Sequence, residues 1–239
     1  MRVEIWSDIA CPWCYVGKAR FEKALAAFPH REDVEVVHRS FELDPDRAKG
    51  DVQPVITMLT RKYGMSEAQA QAGEDNLGAQ AAAEGLEYRT RGRDHGNTFD
   101  MHRLLHFAGE QGRQDQLIQL FYRANFAEER SVFTEGDERL VELAVEAGLD
   151  AGAVRGVLAD PDAYADAVRA DEREAARLGA NGVPFFVLDR KYGVSGAQPA
   201  EVFTQALTQA WGARSPLTLV DQGDAEACGP DGCAVPQHG

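Results

Sequence analysis

The sequence has no excess of basic residues and no long apolar run. Its 239 residues carry a formal net charge of −14, and lysine and arginine form no cluster along the chain. Nucleic acids and anionic membrane surfaces are usually bound by basic patches, so we expect neither partner. No stretch reaches the roughly 20 apolar residues of a membrane-spanning helix. The hydrophobic content of 44% indicates a globular protein with a sizeable core.

Cysteine is also scarce, with four residues in the chain. That number is too small for a secreted fold held together by disulfides. The chain opens on a strand-like segment instead of the basic and apolar regions of a secretory signal. We therefore expect a cytoplasmic protein, in which paired cysteines are more often catalytic or metal-binding than structural.

The first cysteine pair lies in the segment Cys11-Pro12-Trp13-Cys14, between strand-like residues 3–7 and a helix-like run. A strand would deliver Cys11 to the amino end of a helix, where unpaired N–H groups and the helix dipole favour a thiolate. The second sulfur would lie one turn along, within reach of the first. The segment predicts a redox dithiol, with Pro12 and Trp13 placed to contact a substrate.

Zinc binding is the main alternative for the cysteines. Cys228 and Cys233 form a second pair, and four thiolates can hold zinc. However, the second pair has four intervening residues instead of two, and it lies in a polar tail. We therefore favour redox chemistry over a metal site or inert cysteines, and we expect neither metal nor cofactor.

Periodicity divides the chain into an α/β part, a helical block and a tail. Strand patterns at residues 3–7 and 34–41 flank a helix at 15–28, and this crossover predicts a parallel strand pair. The block from 52 to 179 shows no convincing strand, and we expect helices near residues 52–64, 66–84, 98–111, 114–128, 137–147, 150–159 and 161–179. Strands at 185–188 and 192–195 and a helix at 199–212 follow.

Pro184 immediately precedes the strand pattern at 185–188. A proline has no N–H to donate to a sheet, so it is at home at the start of a strand. Taken alone, such a proline indicates only where a strand begins. It gains meaning from the strand, dithiol and helix at the start of the chain.

Together, these motifs resemble those of the thioredoxin superfamily and, more narrowly, the DsbA-like thiol–disulfide oxidoreductases of the FrnE type. The resemblance covers about residues 3–212. It is carried by Ser7-Asp8-Ile9-Ala10-Cys11-Pro12-Trp13-Cys14 with Gly17, and by Gly182-Val183-Pro184-Phe185-Phe186 with Ser195-Gly196-Ala197-Gln198.

The resemblance implies an α/β, thioredoxin-like domain formed by residues 1–45 and 180–214. A large all-helical insertion at 46–179 would separate its β-α-β and β-β-α halves, and a flexible tail at 215–239 would follow. It also implies that Cys11 is the nucleophile, that Cys14 resolves, and that the Val183–Pro184 bond is cis beside them.

The activity implied is exchange through a mixed disulfide with a thiol- or disulfide-containing protein or small molecule. Backbone at Val183 would pair with an extended substrate segment.

The tail pair spans Cys228-Gly-Pro-Asp-Gly-Cys233. Proline and glycine at these positions suit a type I turn, which would set the cysteines opposite each other, close enough to bridge. FrnE-type relatives include proteins with such a pair, so the resemblance implies a second redox centre. A lone tail disulfide and a metal clip are the alternatives.

His102 and His106 are four residues apart on a predicted helix, a spacing that can hold a metal. No third ligand is identifiable, and the neighbouring apolar stripe places both histidines beside a core face instead. The resemblance adds that Asn97, Thr98, His102 and Arg103 match a segment near the active site, so His102 is a candidate substrate contact.

Two other functions stay open. Kappa-type glutathione transferases and chromene-carboxylate isomerases share the fold and the insertion that the resemblance implies. They carry a serine where Cys11 stands and lack a partner at Cys14, which argues against that class. A non-catalytic chaperone or binding protein using the helical groove is the second alternative.

Overall fold

The computed structural model describes residues 1–214 and, beyond them, the two-residue strands Cys228–Gly229 and Gly232–Cys233. In chain order the strands are β1 Arg2–Ser7, β2 Glu35–Ser40, β3 Gln53–Pro54, β4 Asp94–His95, β5 Phe185–Leu188, β6 Tyr192–Ser195, and the two short strands above as β7 and β8. The helices are α1 Pro12–Ala26, α2 Val55–Tyr63, α3 Glu67–Ala83, α4 Phe99–Glu110, α5 Gln114–Phe126, α6 Asp137–Glu146, α7 Ala151–Ala159, α8 Ala165–Arg177 and α9 Ala200–Gly212.

The central sheet has four strands in the order β2-β1-β5-β6. Strands β1 and β2 are parallel, with Val3 opposite Val36, which confirms the predicted crossover. Strand β5 runs antiparallel to β1, and β6 is antiparallel to β5. The sheet thus joins the first forty residues of the chain to residues 185–195.

One face of this sheet is covered by α1 and α9. Three aromatic side chains fill the space: Phe186 on β5, Phe21 on α1 and Phe203 on α9 are each at most 2% exposed. The Phe186 and Phe203 ring centroids are 4.6 Å apart. Burial of these rings fixes α1, and with it the dithiol, against the sheet.

The segment between β2 and β5 contains helices α2–α8, as predicted, around a core of its own. Its fully buried side chains include Leu104, Leu117, Phe121, Leu143 and Val154. Tyr15 on α1 stacks on Phe126 of α5 with centroids 5.2 Å apart, so this core reaches the dithiol helix. No helix in residues 1–214 is long and apolar enough to cross a membrane.

Two sequence expectations for the helical block are wrong. A short sheet does occur there, with Gln53 opposite His95 and Pro54 opposite Asp94, because two residue pairs are too few to leave a periodic pattern. The helix expected from residue 161 begins at Ala165. Tyr164 adopts a left-handed conformation, φ 60°, and separates the preceding turn from α8.

Candidate functional site

Cys11 is the N-cap residue of α1, as the sequence predicts. Its backbone is extended, with φ −89° and ψ 111°, and Pro12 occupies the first helical turn, where a missing N–H has no cost. The Cys11 carbonyl accepts the N–H of Cys14 at 3.0 Å. The Cys11 thiol therefore lies at the positive end of the helix dipole.

Cys14 lies one turn into α1 and is 1% exposed, against 4% for Cys11. Both are free cysteines. Burial raises the pKa of the Cys14 thiol well above its usual value, and the hydrogen bond and charge of Cys11 raise it further. Cys14 therefore stays protonated at pH values at which an ordinary cysteine thiol ionises.

The Val183–Pro184 bond is cis, which confirms the prediction. The Val183 carbonyl accepts a hydrogen bond from the Cys11 thiol at 3.6 Å. The Pro184 carbonyl accepts the N–H of Gly196 at 2.8 Å, which ties this loop to the end of β6. The two motifs that the sequence places at opposite ends of the chain thus meet at Cys11.

The loop before Cys11 is held by buried polar groups. Asp8 is 1% exposed, and its carboxylate accepts the N–H of Leu43 at 2.7 Å and contacts Nε2 of His102 at 3.3 Å. Asn125 donates to the Ile9 carbonyl at 2.8 Å. Burial alone would raise the pKa of Asp8, but His102 and the Leu43 N–H hold that pKa below its usual value. Asp8 is therefore a buried carboxylate that fixes the loop.

The histidines expected beside a core face are both engaged by carboxylates. His102 is 1% exposed and does not line the cleft beside Cys11, so its placement favours support of Asp8 over direct contact with a substrate. Nε2 of His106 lies 3.1 Å from Asp171. Residues 1–214 contain no group of three or more His, Cys, Asp or Glu that could hold a metal.

A cleft of about 390 Å³ opens beside Cys11, between the dithiol, α2 and α3. Pro12, Trp13 and Val183, the predicted substrate contacts, line it. Trp13 is 39% exposed. The opposite wall comes from α2 and the following turn, and it is largely apolar, with Val55, Met58, Leu59, Tyr63 and Met65. Sequence analysis places α2 correctly but gives no sign that it faces the dithiol.

The cleft also contains a buried ion pair that sequence analysis missed. Arg93 contacts the carboxylate of Glu74 at 2.5 Å and the hydroxyl of Tyr88 at 2.7 Å, and both charged residues are at most 6% exposed. The guanidinium lies over the rings of Tyr88 and Phe126, at 4.8 and 5.0 Å. Glu74 and Arg93 are 19 positions apart in the sequence, and no local spacing connects them.

The tail predicted at 215–239 lies outside the described residues except for β7 and β8, which contain Cys228 and Cys233. Backbone strands β7 and β8 are antiparallel, with Cys228 opposite Cys233. This is the opposed arrangement that the intervening turn predicts. The redox role of the pair stays a prediction.

The model of the DSBA-like thioredoxin domain family matches residues 2–208. The chain belongs to this family. A crystal structure of a probable DsbA oxidoreductase from Streptomyces coelicolor is 82% identical, with a TM-score of 0.91, and the match covers 99% of this chain and 100% of that one.

Two more distant relatives are also similar to this chain. The uncharacterized protein YwbO of Bacillus subtilis is 28% identical over 210 residues, which cover 87% of this chain and 96% of that protein. The cytosolic disulfide reductase DsbM from Pseudomonas aeruginosa is 19% identical with a TM-score of 0.60, covering 89% of this chain and 100% of that one. A second DsbM structure contains GSH. At this identity the likeness to DsbM concerns the fold alone.

The DsbA-like family and the probable oxidoreductase from Streptomyces coelicolor support thiol–disulfide chemistry as the general class of activity. The site is consistent with that class, since it brings two free thiols, a helix amino end and a cis proline loop together.

Proposed function

We propose that the protein is a thiol–disulfide oxidoreductase in which Cys11 attacks and Cys14 resolves. The observation that carries this proposal is the unequal placement of the two thiols. Cys11 lies at the amino end of α1 with its thiol against the Val183 carbonyl, whereas Cys14 is enclosed and has a raised pKa. Cys11 is therefore placed to attack the substrate disulfide, and Cys14 to resolve the mixed disulfide afterwards.

In the reducing direction, the Cys11 thiolate attacks one sulfur of a substrate disulfide. A bond forms between Cys11 and that sulfur, and the other substrate sulfur leaves as a thiolate that takes a proton from water. Cys14 then loses its proton and attacks the Cys11 sulfur. The second substrate thiolate leaves, and two electrons have passed from the dithiol to the substrate.

The reverse sequence oxidises a dithiol substrate. A substrate thiolate attacks Cys11 of the Cys11–Cys14 disulfide, and a second substrate thiol displaces the mixed disulfide. The absence of a cation in Pro12-Trp13 favours a less oxidising couple than a motif with histidine between the cysteines. Backbone at Val183, next to the cis bond, would pair with an extended substrate segment.

We further propose the FrnE type of organisation, in which Cys228 and Cys233 exchange electrons with the first pair. Thirteen residues, 215–227, precede Cys228, and a flexible chain of that length spans roughly 20 Å. The scarcity of cysteine supports a cytoplasmic setting for this chemistry.

Insulin reduction with dithiothreitol as the reductant tests the proposal. Wild-type protein should accelerate precipitation of the insulin chains, and Cys11→Ser should abolish the acceleration. Cys14→Ser is the matched control, because it should still attack and should accumulate a mixed disulfide at Cys11. Full activity of the Cys11→Ser variant would contradict the proposal.

A further inference from the structure

Helix α5 presents one face to the buried side of the dithiol. Asn125 on this helix donates a hydrogen bond to the Ile9 carbonyl at 2.8 Å. Phe126 stacks on Tyr15, the residue that follows the second cysteine. Tyr122 lies one helical turn before these two α5 residues and shares their face. Its ring centroid is 5.6 Å from that of Tyr15, so Tyr122 projects towards the enclosed thiol.

The Tyr122 hydroxyl is a buried donor that has no hydrogen-bond partner within residues 1–214. The side chain as a whole is 1% exposed. The hydroxyls of Tyr15, Tyr88 and Tyr164, by contrast, each contact a carbonyl or carboxylate oxygen. A buried polar group without a partner destabilises a folded protein, and phenylalanine would fill the same space without that cost. The Tyr122 hydroxyl therefore calls for a functional explanation.

Cys14 is the ionisable residue that acts most strongly on this hydroxyl. Burial raises the pKa of Tyr122 well above its usual value, and a negative charge on Cys14 raises it further, ahead of the charges of Cys11 and Asp8. The Ser7 hydroxyl is near enough to lower this pKa without completing a hydrogen bond. Tyr122 therefore keeps its proton near pH 7 and is a donor for an anion beside it.

Cys14 must form such an anion in the resolving step. Its thiol loses a proton to water, the thiolate attacks the Cys11 sulfur, and the bond between Cys11 and the substrate sulfur breaks. The substrate leaves as a thiolate and takes a proton from water. Burial opposes ionisation of Cys14, and the backbone N–H of Asp8 offsets this only in part. A second donor on the enclosed side of Cys14 would lower the barrier to resolution.

We propose that Tyr122 donates a hydrogen bond to the Cys14 sulfur as Cys14 ionises to resolve the mixed disulfide. The inference rests on the proposed function, since it assigns a residue to the second step of that exchange. Together with the Asp8 N–H, the hydroxyl forms a two-donor site for the thiolate. The O–H bond rotates towards the sulfur while the ring stays in place. A neutral thiol is a weak acceptor, so the stabilisation develops mainly with the charge.

The test separates the two steps of one turnover. Reduced, full-length protein is mixed with a peptide whose cysteine is disulfide-bonded to thionitrobenzoate, in a Cys228→Ser, Cys233→Ser background so that the tail thiols take no part. Attack by Cys11 releases thionitrobenzoate, the better leaving group, and absorbance follows this step. Resolution by Cys14 releases the peptide thiol, and acid quenching with mass spectrometry follows the loss of the mixed disulfide.

Tyr122→Phe removes the hydroxyl and keeps the ring. We expect the first step to stay within about twofold of wild type and resolution near neutral pH to be about tenfold slower, since a charge-assisted hydrogen bond is lost. The pH profile of resolution should shift upward by about one unit, because Cys14 then ionises less readily. Urea unfolding of the reduced variant should show no loss of stability, since the hydroxyl has no partner to lose.

Tyr15→Phe is the matched control. Its ring packs against Tyr122, but its hydroxyl contacts the Glu87 carbonyl at 3.4 Å, so both steps and the pH profile should stay unchanged. Resolution by Tyr122→Phe at the wild-type rate would overturn the inference. Equal slowing of both steps with an unshifted profile would do so too, because it would show a purely structural role. If wild type releases no thionitrobenzoate, the proposed function itself fails, whereas a normal first step leaves it standing whatever Tyr122 does.

Discussion

A Cβ atom added to Gly17 would lie 2.9 Å from Cγ of Pro184. The same atom would lie 3.2 Å from Cβ of Ala197. Helix α1 therefore contacts the Pro184 loop at Gly17, the residue of this turn that has no side chain. That close approach accompanies the 3.6 Å contact between the Cys11 thiol and the Val183 carbonyl.

Gly17→Ala should lower the free energy of unfolding by about 1–2 kcal/mol, because overpacking against a proline ring outweighs the higher helix propensity of alanine. It should also slow disulfide exchange, since α1 and the Pro184 loop would move apart. Urea unfolding and insulin reduction measure the two effects.

Gly156→Ala is the control for that substitution. Gly156 lies in α7, and a Cβ there meets nothing within 4 Å. Alanine should stabilise the protein at this site by about 0.5–1 kcal/mol. Equal stabilisation by both substitutions would show that the Gly17 contact is not tight.

Alkylation should distinguish the two thiols of the dithiol. With limiting iodoacetamide near neutral pH, Cys11 should be modified first, because burial raises the pKa of Cys14 and keeps it protonated. Labelling of Cys14 should rise only at alkaline pH. Peptide mapping gives the site, and the urea-unfolded protein, in which both thiols should react alike, is the control. Preferential labelling of Cys14 in the folded protein would reverse the assigned roles.

Asp8→Asn should destabilise the protein at neutral pH by about 1–3 kcal/mol, because an amide nitrogen cannot replace the oxygen that accepts the Leu43 N–H. The pKa of Asp8 is lower in the folded protein than its usual value of 3.8. The stabilisation from ionised Asp8 is therefore fully present above pH 3.8 and is lost as the pH falls through the folded-state pKa.

Urea unfolding at several pH values between 7 and 3 tests this dependence. The difference in unfolding free energy between wild type and Asp8→Asn should stay constant down to about pH 4 and shrink below it. Asp166→Asn, on the first turn of α8, is a control carboxylate with no hydrogen bond or ion pair in the described structure. A constant difference over the whole range would show that Asp8 does not titrate in this way.

Cys228 and Cys233 should affect the return of the Cys11–Cys14 pair to its starting redox state, which follows its reaction with substrate. The double variant Cys228→Ser with Cys233→Ser should reduce a first equivalent of disulfide at the wild-type rate, because Cys11 and Cys14 are intact. Return of the first pair to its starting redox state should be slower, since the proposed exchange partner is lost. Stopped-flow mixing and mass shifts after alkylation follow the two phases, and wild-type behaviour in both would make the tail pair a bystander.

Much of the fold follows from local pattern. The dithiol and the apolar periodicity of α1 and α9 are short-range features that can be recognised without the rest of the chain. The proline before β5 is informative only in combination with the dithiol motif. The parallel β1–β2 pair follows as well, because a helix between two strands permits the crossover. The family model confirms the fold that these motifs predict.

The tertiary structure alone decided what surrounds the dithiol. Asp8 meets His102 across 94 residues, and the α2 wall faces Trp13 because the two cores pack together around α1. Such contacts produce no periodic pattern in the sequence, because each depends on burial and charge pairing between distant segments. The sequence by itself therefore identified the two thiols and the proline loop as a candidate site, whereas folding decided which thiol is enclosed and which apolar side chains stay open beside it.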